Sequence, residues 1–100
     1  MVLYVVSVEI SSEIESQWVD WMRSKHIPDV MSTGFFLRAT LNKVVGNGNS
    51  YQIHYLAETE EKLETYRRDF SVSMQREYSR LFEGKFRATR IVQKILKEFK

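Results

Sequence analysis

One hundred residues, 43% hydrophobic and 28% charged with a net charge of +2, suffice for a single domain spanning 1–100 and leave no room for a second. The absence of cysteine excludes disulfides, thiolate catalysis and cysteine-ligated zinc or iron–sulfur centres. The longest apolar runs, Val2 to Val6 and Phe35 to Leu37, fall far short of the roughly 20 residues of a bilayer span, and no basic leader precedes them, so a cytoplasmic, membrane-free protein is expected.

Val2 to Ile10 is rich in β-branched residues and reads as a strand. Ser12 and Glu15 form a capping-box pattern that predicts a helix start, and Ile14, Trp18, Trp21 and Met22 lay an apolar stripe along that helix. Pro28 lacks the N–H that would bond the Ser24 carbonyl and disfavours the α region for Ile27, so a kink or break is expected at His26-Ile27-Pro28. A short helical turn over Asp29 to Ser32 then ends at Gly34. Phe35 to Val45 reads as a second strand, with Leu37, Ala39 and Leu41 on one face and Phe36, Arg38, Thr40 and Asn42 on the other. Gly46-Asn47-Gly48-Asn49 predicts a tight hairpin into a third strand, Tyr51 to Ala57.

Thr59 caps a second helix with an acidic first turn and basic later turns, loosened at Ser71-Val72-Ser73 and ended by Gly84. Phe86 to Val92 alternates as a fourth strand, while Val92, Ile95, Leu96 and Phe99 fit helical and strand spacing equally well. From Lys85 onward six bases stand against one acid, leaving nine bases against twelve acids in residues 1–84. Without interleaved aromatics, alternating bases on a terminal strand mark a soluble sheet edge rather than a nucleic-acid surface.

The order β-α-β-β-α-β predicts an α+β, ferredoxin-like domain: a four-stranded antiparallel sheet with two helices on one face. Its other face carries Phe36, Leu56 and first-strand aliphatics beside Arg38, Thr40, Gln52 and His54, too apolar to leave in water, and a homodimer with the sheets face to face is expected.

His26 continues the stripe of Trp18 and Met22 onto the sheet-facing side. As a catalytic base it would sit between helices and sheet; as a structural residue it would bond a carbonyl freed by the break. A metal site of His26, Asp29 and His54 is disfavoured because His54 has the parity opposite to Ile53 and Tyr55, so no metal is expected, and His54 is expected to bond Gln52 or Arg38. Trp18, Met22, His26, Tyr55 and Tyr78 are the residues expected to line a pocket for a small apolar or aromatic ligand, if they are more than core.

The stretch Trp18-x-x-Trp21-Met22 followed by His26-Ile27-Pro28-Asp29-Val30-Met31-x-Thr33-Gly34-x-Phe36 resembles a family of short bacterial proteins known as a domain of unknown function. The likeness extends over nearly the whole chain through Tyr4-Val5-Val6, Tyr51-x-Ile53-x-Tyr55, Tyr66 and Gly84-Lys85-Phe86-x-Ala88-x-Arg90. It implies the dimeric α/β barrel superfamily, which includes small cofactor-independent monooxygenases, muconolactone-type isomerases, haem-degrading enzymes and chlorite dismutases. Two positions depart from the family pattern: Ser71-Val72 replaces Ala-Pro, and Tyr78 replaces a histidine, so any ligand or haem contact made through that histidine is lost here. The expected function is a homodimeric small-ligand-binding or scaffold-like module without cofactor. The alternative is a cofactor-independent monooxygenase or isomerase using His26 in the cavity between helices and sheet.

Overall fold

The computed structural model describes residues 1–100 as β1 (Val2–Ile10), α1 (Glu15–Trp21), α2 (Ile27–Ser32), β2 (Arg38–Lys43), β3 (Ser50–Ala57), α3 (Glu60–Asp69), α4 (Ser71–Phe82) and β4 (Phe86–Lys94). The strands form one antiparallel sheet in the order β2-β3-β1-β4, the ferredoxin-like topology. Register follows from alternation: Tyr4 lies opposite Tyr55 on β3 and Val92 on β4, and Val8 opposite Tyr51 and Ala88, so one face collects the large apolar residues. That face meets the helices, where Trp18, Met22, Ile53 and Leu63 are almost completely buried.

The first helical connection departs from the capping-box expectation. Neither Ser11, which stands at the helix entry, nor Ile14 makes a side-chain cap bond. The Glu15 carboxylate instead accepts from the Tyr51 hydroxyl and lies 3.7 Å from Lys43, while Glu13 pairs with Lys85. Partners on the sheet and on the turn before β4 thus outcompete the local backbone donors.

Pro28 does not break the helix. A π-helical turn over Met22–His26 joins α1 to α2, with the Ile27 N–H reaching back to the Met22 carbonyl, and Ile27 keeps helical angles of −64° and −44°. Widening the turn absorbs the missing proline donor within a continuous helical path. Gly34, at φ +84°, then ends that path, as a residue free of a Cβ can.

β2 is shorter than the sequence pattern predicts, starting at Arg38 and ending at Lys43. Phe36 therefore escapes the alternation of the strand and packs in the core against Tyr55 and Tyr66 at centroid distances of 5.0 and 4.9 Å, while Leu37 is left 54% exposed. Phe36 is thus removed from the open sheet face on which its parity would place it. The β2–β3 connection is a longer loop closed by Val44 N–H to Ser50 carbonyl, with positive φ at Gly46 and Gly48 and at no asparagine.

Thr59 caps α3 by accepting from the Lys62 N–H at 3.1 Å. The long second helix is divided at Phe70, whose φ of −125° leaves the helical region, and the Ser71 hydroxyl donates to the Arg67 carbonyl across the break. β4 runs to Lys94, and the Ile95 N–H bonds the Met1 carbonyl, which resolves the terminal segment in favour of extended chain up to that point. No helix is long and apolar enough to cross a membrane.

Leu63 is 0% exposed at the centre of α3, so Leu63→Ala should lower stability by about 2–5 kcal/mol through lost burial and the cavity left behind. Lys62→Ala, one residue away and exposed, should stay within about 0.5 kcal/mol. Urea denaturation of both variants reads the difference.

Candidate functional site

Between the sheet and the second helical connection lies a cavity of about 30 Å³, room for one or two waters. Its floor is Tyr4 and Val6 from β1 with Ile53 and Tyr55 from β3. The helices contribute Met22 and His26 from the π-helical turn, Tyr66 from α3, and Ser71, Met74, Gln75 and Tyr78 from α4; Arg90 on β4 completes the wall. Of the five residues that the sequence suggests for a pocket, Met22, His26, Tyr55 and Tyr78 meet here. Trp18 stands one layer back, its indole Nε1–H donating to the Tyr78 hydroxyl at 2.5 Å.

Tyr4, Tyr66 and Arg90 are missing from the sequence-based set, although a signal existed for each. Tyr4 shares the parity of Val8 and Ile10, Tyr66 the period of Leu63 and Phe70, and Arg90 the parity of Phe86 and Ala88. Arg90 escapes notice because an arginine on a basic terminal strand reads as an outward, solubilising residue, whereas its register opposite Val6 turns it to the helix side.

His26 makes no hydrogen bond to a freed carbonyl, so the structural role expected from the break is replaced by aromatic packing. Its ring stacks on Trp21 at 4.9 Å with a 27° interplanar angle and meets Tyr78 edge-on at 5.4 Å. Burial lowers its pKa to about 4; Asp29 opposes the shift, and Arg90 and Lys25 reinforce it. The imidazole is therefore neutral at pH 7, with one nitrogen able to donate and one to accept. Asp29 is held by Lys25 at 2.5 Å, and His54 bonds Gln52 at 2.9 Å on the opposite face of the sheet, so these groups do not converge. No cluster of three metal-ligating side chains forms anywhere in the chain.

Burial raises the pKa of the Tyr55, Tyr66 and Tyr78 hydroxyls well above the ordinary tyrosine value, so all three keep their protons. Tyr55 and Tyr66 have no acceptor within the chain, yet no polar side-chain atom is both sealed from solvent and unpaired. Their hydroxyls consequently open onto accessible space. Chemically, the site offers neutral hydroxyl donors, a neutral imidazole and one guanidinium, with no carboxylate on its walls.

A ferredoxin-like sheet with a helix-roofed cavity places the protein among small α+β domains of this architecture. The chain belongs to the family described as a domain of unknown function, DUF4286, whose model matches residues 1–96. No curated protein matches the sequence. Among solved structures, it is similar to a dimeric ferredoxin-like protein from an uncultured marine organism (11% identity, 98% of this chain and 96% of that one, TM-score 0.75). It is also similar to a protein from Nitrosomonas europaea named for antibiotic biosynthesis monooxygenases (8% identity, 97% and 100% coverage, TM-score 0.73). A third likeness is to the haem-degrader MhuD of Mycobacterium tuberculosis (12% identity, 100% of both chains, TM-score 0.72). At these identities the likeness is one of fold.

The pKa of His26 generates a pH prediction. Its folded value of about 4 lies below the ordinary 6.5, so the unfolded chain takes up the proton first. The stability that the neutral ring contributes is complete above pH 6.5 and is lost as the pH falls toward 4, at about 1.4 kcal/mol per unit and at most about 3 kcal/mol in all. The carboxylates held down by Lys85, Lys62 and Arg68 act only below their ordinary range of 4.5 or less, which leaves the window above 4.5 to histidine. Urea midpoints measured from pH 7 to 4.5 should fall for the natural protein and flatten in His26→Phe; parallel curves would refute the assignment.

Proposed function

We propose that the chain acts as a homodimeric small-ligand-binding module, with the ligand at the mouth of the water-sized cavity that Met22, His26, Tyr55 and Tyr78 line. The observation that carries this reading is the pair of tyrosines on the cavity wall, Tyr55 and Tyr66, whose hydroxyls stay accessible and have no acceptor within the chain. A hydroxyl kept in an apolar setting without a partner loses free energy unless water or a ligand supplies one. An oxygenase or isomerase acting through His26 would need an enclosed void of a few hundred Å³, far more than the about 30 Å³ that these side chains leave. Haem, which MhuD holds, does not fit the cavity either, and the only imidazole on its walls is packed between Trp21 and Tyr78.

The dimer follows from the face of the sheet turned away from the helices. Leu3, Val5, Leu56 and Ile91 make one end of that face apolar, and Ile91 is 53% exposed. Toward the other end Ser7, Gln52 and His54 form a hydrogen-bonded row, with Gln52 to Ser7 at 3.2 Å. Val5 and Leu56 are already buried within the single chain, so Ile91 and the half-buried Leu3 supply the apolar contact, and the polar row fixes the relative rotation of two copies about a two-fold axis. The structurally similar marine protein is itself described as dimeric.

Sedimentation equilibrium at micromolar concentration should return twice the 11.9 kDa chain mass. Ile91→Asp, at an exposed site that the fold tolerates, should yield a folded monomer, and Lys62→Asp should leave the dimer intact; a monomeric natural protein would reject the assembly. The ligand site is tested separately by NMR with small aromatic fragments. Saturable shifts should cluster on Tyr78 and the residues around the cavity mouth, and shifts scattered over the surface would reject that mouth as the ligand site.

A further inference from the structure

Arg90 differs from Arg87, its neighbour among the bases of the terminal strand. Its register opposite Val6 turns it to the helix side of the sheet, onto the wall of the inner cavity, while Arg87 and Thr89 have the opposite parity. None of the ion pairs formed by the chain involves Arg90. A second, shallower groove of about 150 Å³ lies immediately outside, between α4 and β4, bounded by Ser79, Phe86 and Ala88. The two spaces share three walls: Gln75, Tyr78 and Arg90. Neither has an aspartate or glutamate on it.

The shared rim is therefore rich in donors. The guanidinium offers planar paired N–H groups that match a carboxylate. The Tyr78 oxygen already accepts from Trp18, which leaves its own proton to give, and the Gln75 amide makes no hydrogen bond within the chain. Beyond the rim, Phe86 packs against Tyr78 at 4.5 Å and with Ala88 gives the outer groove an apolar floor. A space of about 150 Å³ is the scale that takes one benzene-sized body.

We propose, resting on the small-ligand reading above, that the ligand is a small monocarboxylate. Its carboxylate is held at the rim by Arg90, Gln75 and Tyr78, and its apolar body lies along Phe86 and Ala88. The inner cavity, at about 30 Å³, keeps water that links the carboxylate to the Tyr55 and Tyr66 hydroxyls. Arg90 and Gln75 are exposed, so water solvates the free guanidinium; an anion exchanges that water for a charge-assisted pair, a neutral alcohol of the same shape makes only a neutral hydrogen bond, and a cation is repelled.

The probes are benzoate and benzyl alcohol, which share a body and differ in charge. Calorimetric titration at pH 7 should show benzoate saturating at one per chain and binding roughly tenfold or more tightly than benzyl alcohol. Arg90→Gln should bring benzoate down to the level of benzyl alcohol, Arg90→Lys should retain part of the preference, and Arg87→Gln should leave it unchanged, with thermal melts verifying that each variant folds. Equal binding of the two probes, or an Arg90→Gln protein that binds benzoate as well as the natural chain, would overturn the carboxylate inference and leave the small-ligand reading standing. Failure of both probes to bind would overturn the inference together with that reading.

Discussion

An indole as fully enclosed as Trp18 must find an acceptor for its N–H, because an unpaired buried donor costs about 1–3 kcal/mol. In this fold the acceptor comes from the other helical connection: the Tyr78 hydroxyl, 60 positions later in the chain. That contact ties α1 to α4 over the sheet and sets the rotation of Tyr78, whose ring then receives His26 and Trp21 edge-on and leans on Phe86 of β4. The cavity wall, the neutral state of His26 and the shared rim of the two spaces all depend on where Tyr78 is held.

The polar groups around this centre are managed by burial more than by pairing. His26 is kept neutral by its aromatic neighbours, and the tyrosines are kept protonated by the same loss of water. Charged groups are instead paired at the periphery, as in Lys25 with Asp29 or Lys62 with Glu58, where such pairs contribute little to stability. Arg90, outside these pairs, is the one charge on the walls of the inner cavity.

The two faces of the sheet divide the labour. Toward the helices, β1 and β3 contribute Tyr4 and Tyr55, which build core and line the cavity. Away from the helices, the same strands present Leu3, Val5 and Leu56 beside Ser7, Gln52 and His54. Because side chains alternate along a strand, each residue step along β1 switches between these surfaces, and a one-residue slip would exchange them. The long ladder between β1 and its two neighbours makes that slip costly, since every buried side chain would move to the wrong face.

The order of elements, the two helical connections, the Thr59 cap and the stops at Gly34 and Gly84 were legible in the amino-acid sequence because each rests on local chemistry: alternation, capping, or a backbone angle that only glycine adopts readily. So were Met22, His26, Tyr55 and Tyr78 as neighbours, since helical and strand periods bring them to facing surfaces. The fate of Glu15, Phe36 and Pro28 was not legible. Glu15 left its local cap for Tyr51, Phe36 entered the core just before β2 begins, and the proline was absorbed by a widened turn. The first two outcomes were decided by partners distant in the chain, whose hydrogen bonds and packing outweigh local preferences of about 1 kcal/mol, and the third by a locally widened turn. Arg90 belongs with them: its charge is a property of the residue, but its place beside a cavity is a property of the register that β4 takes against β1.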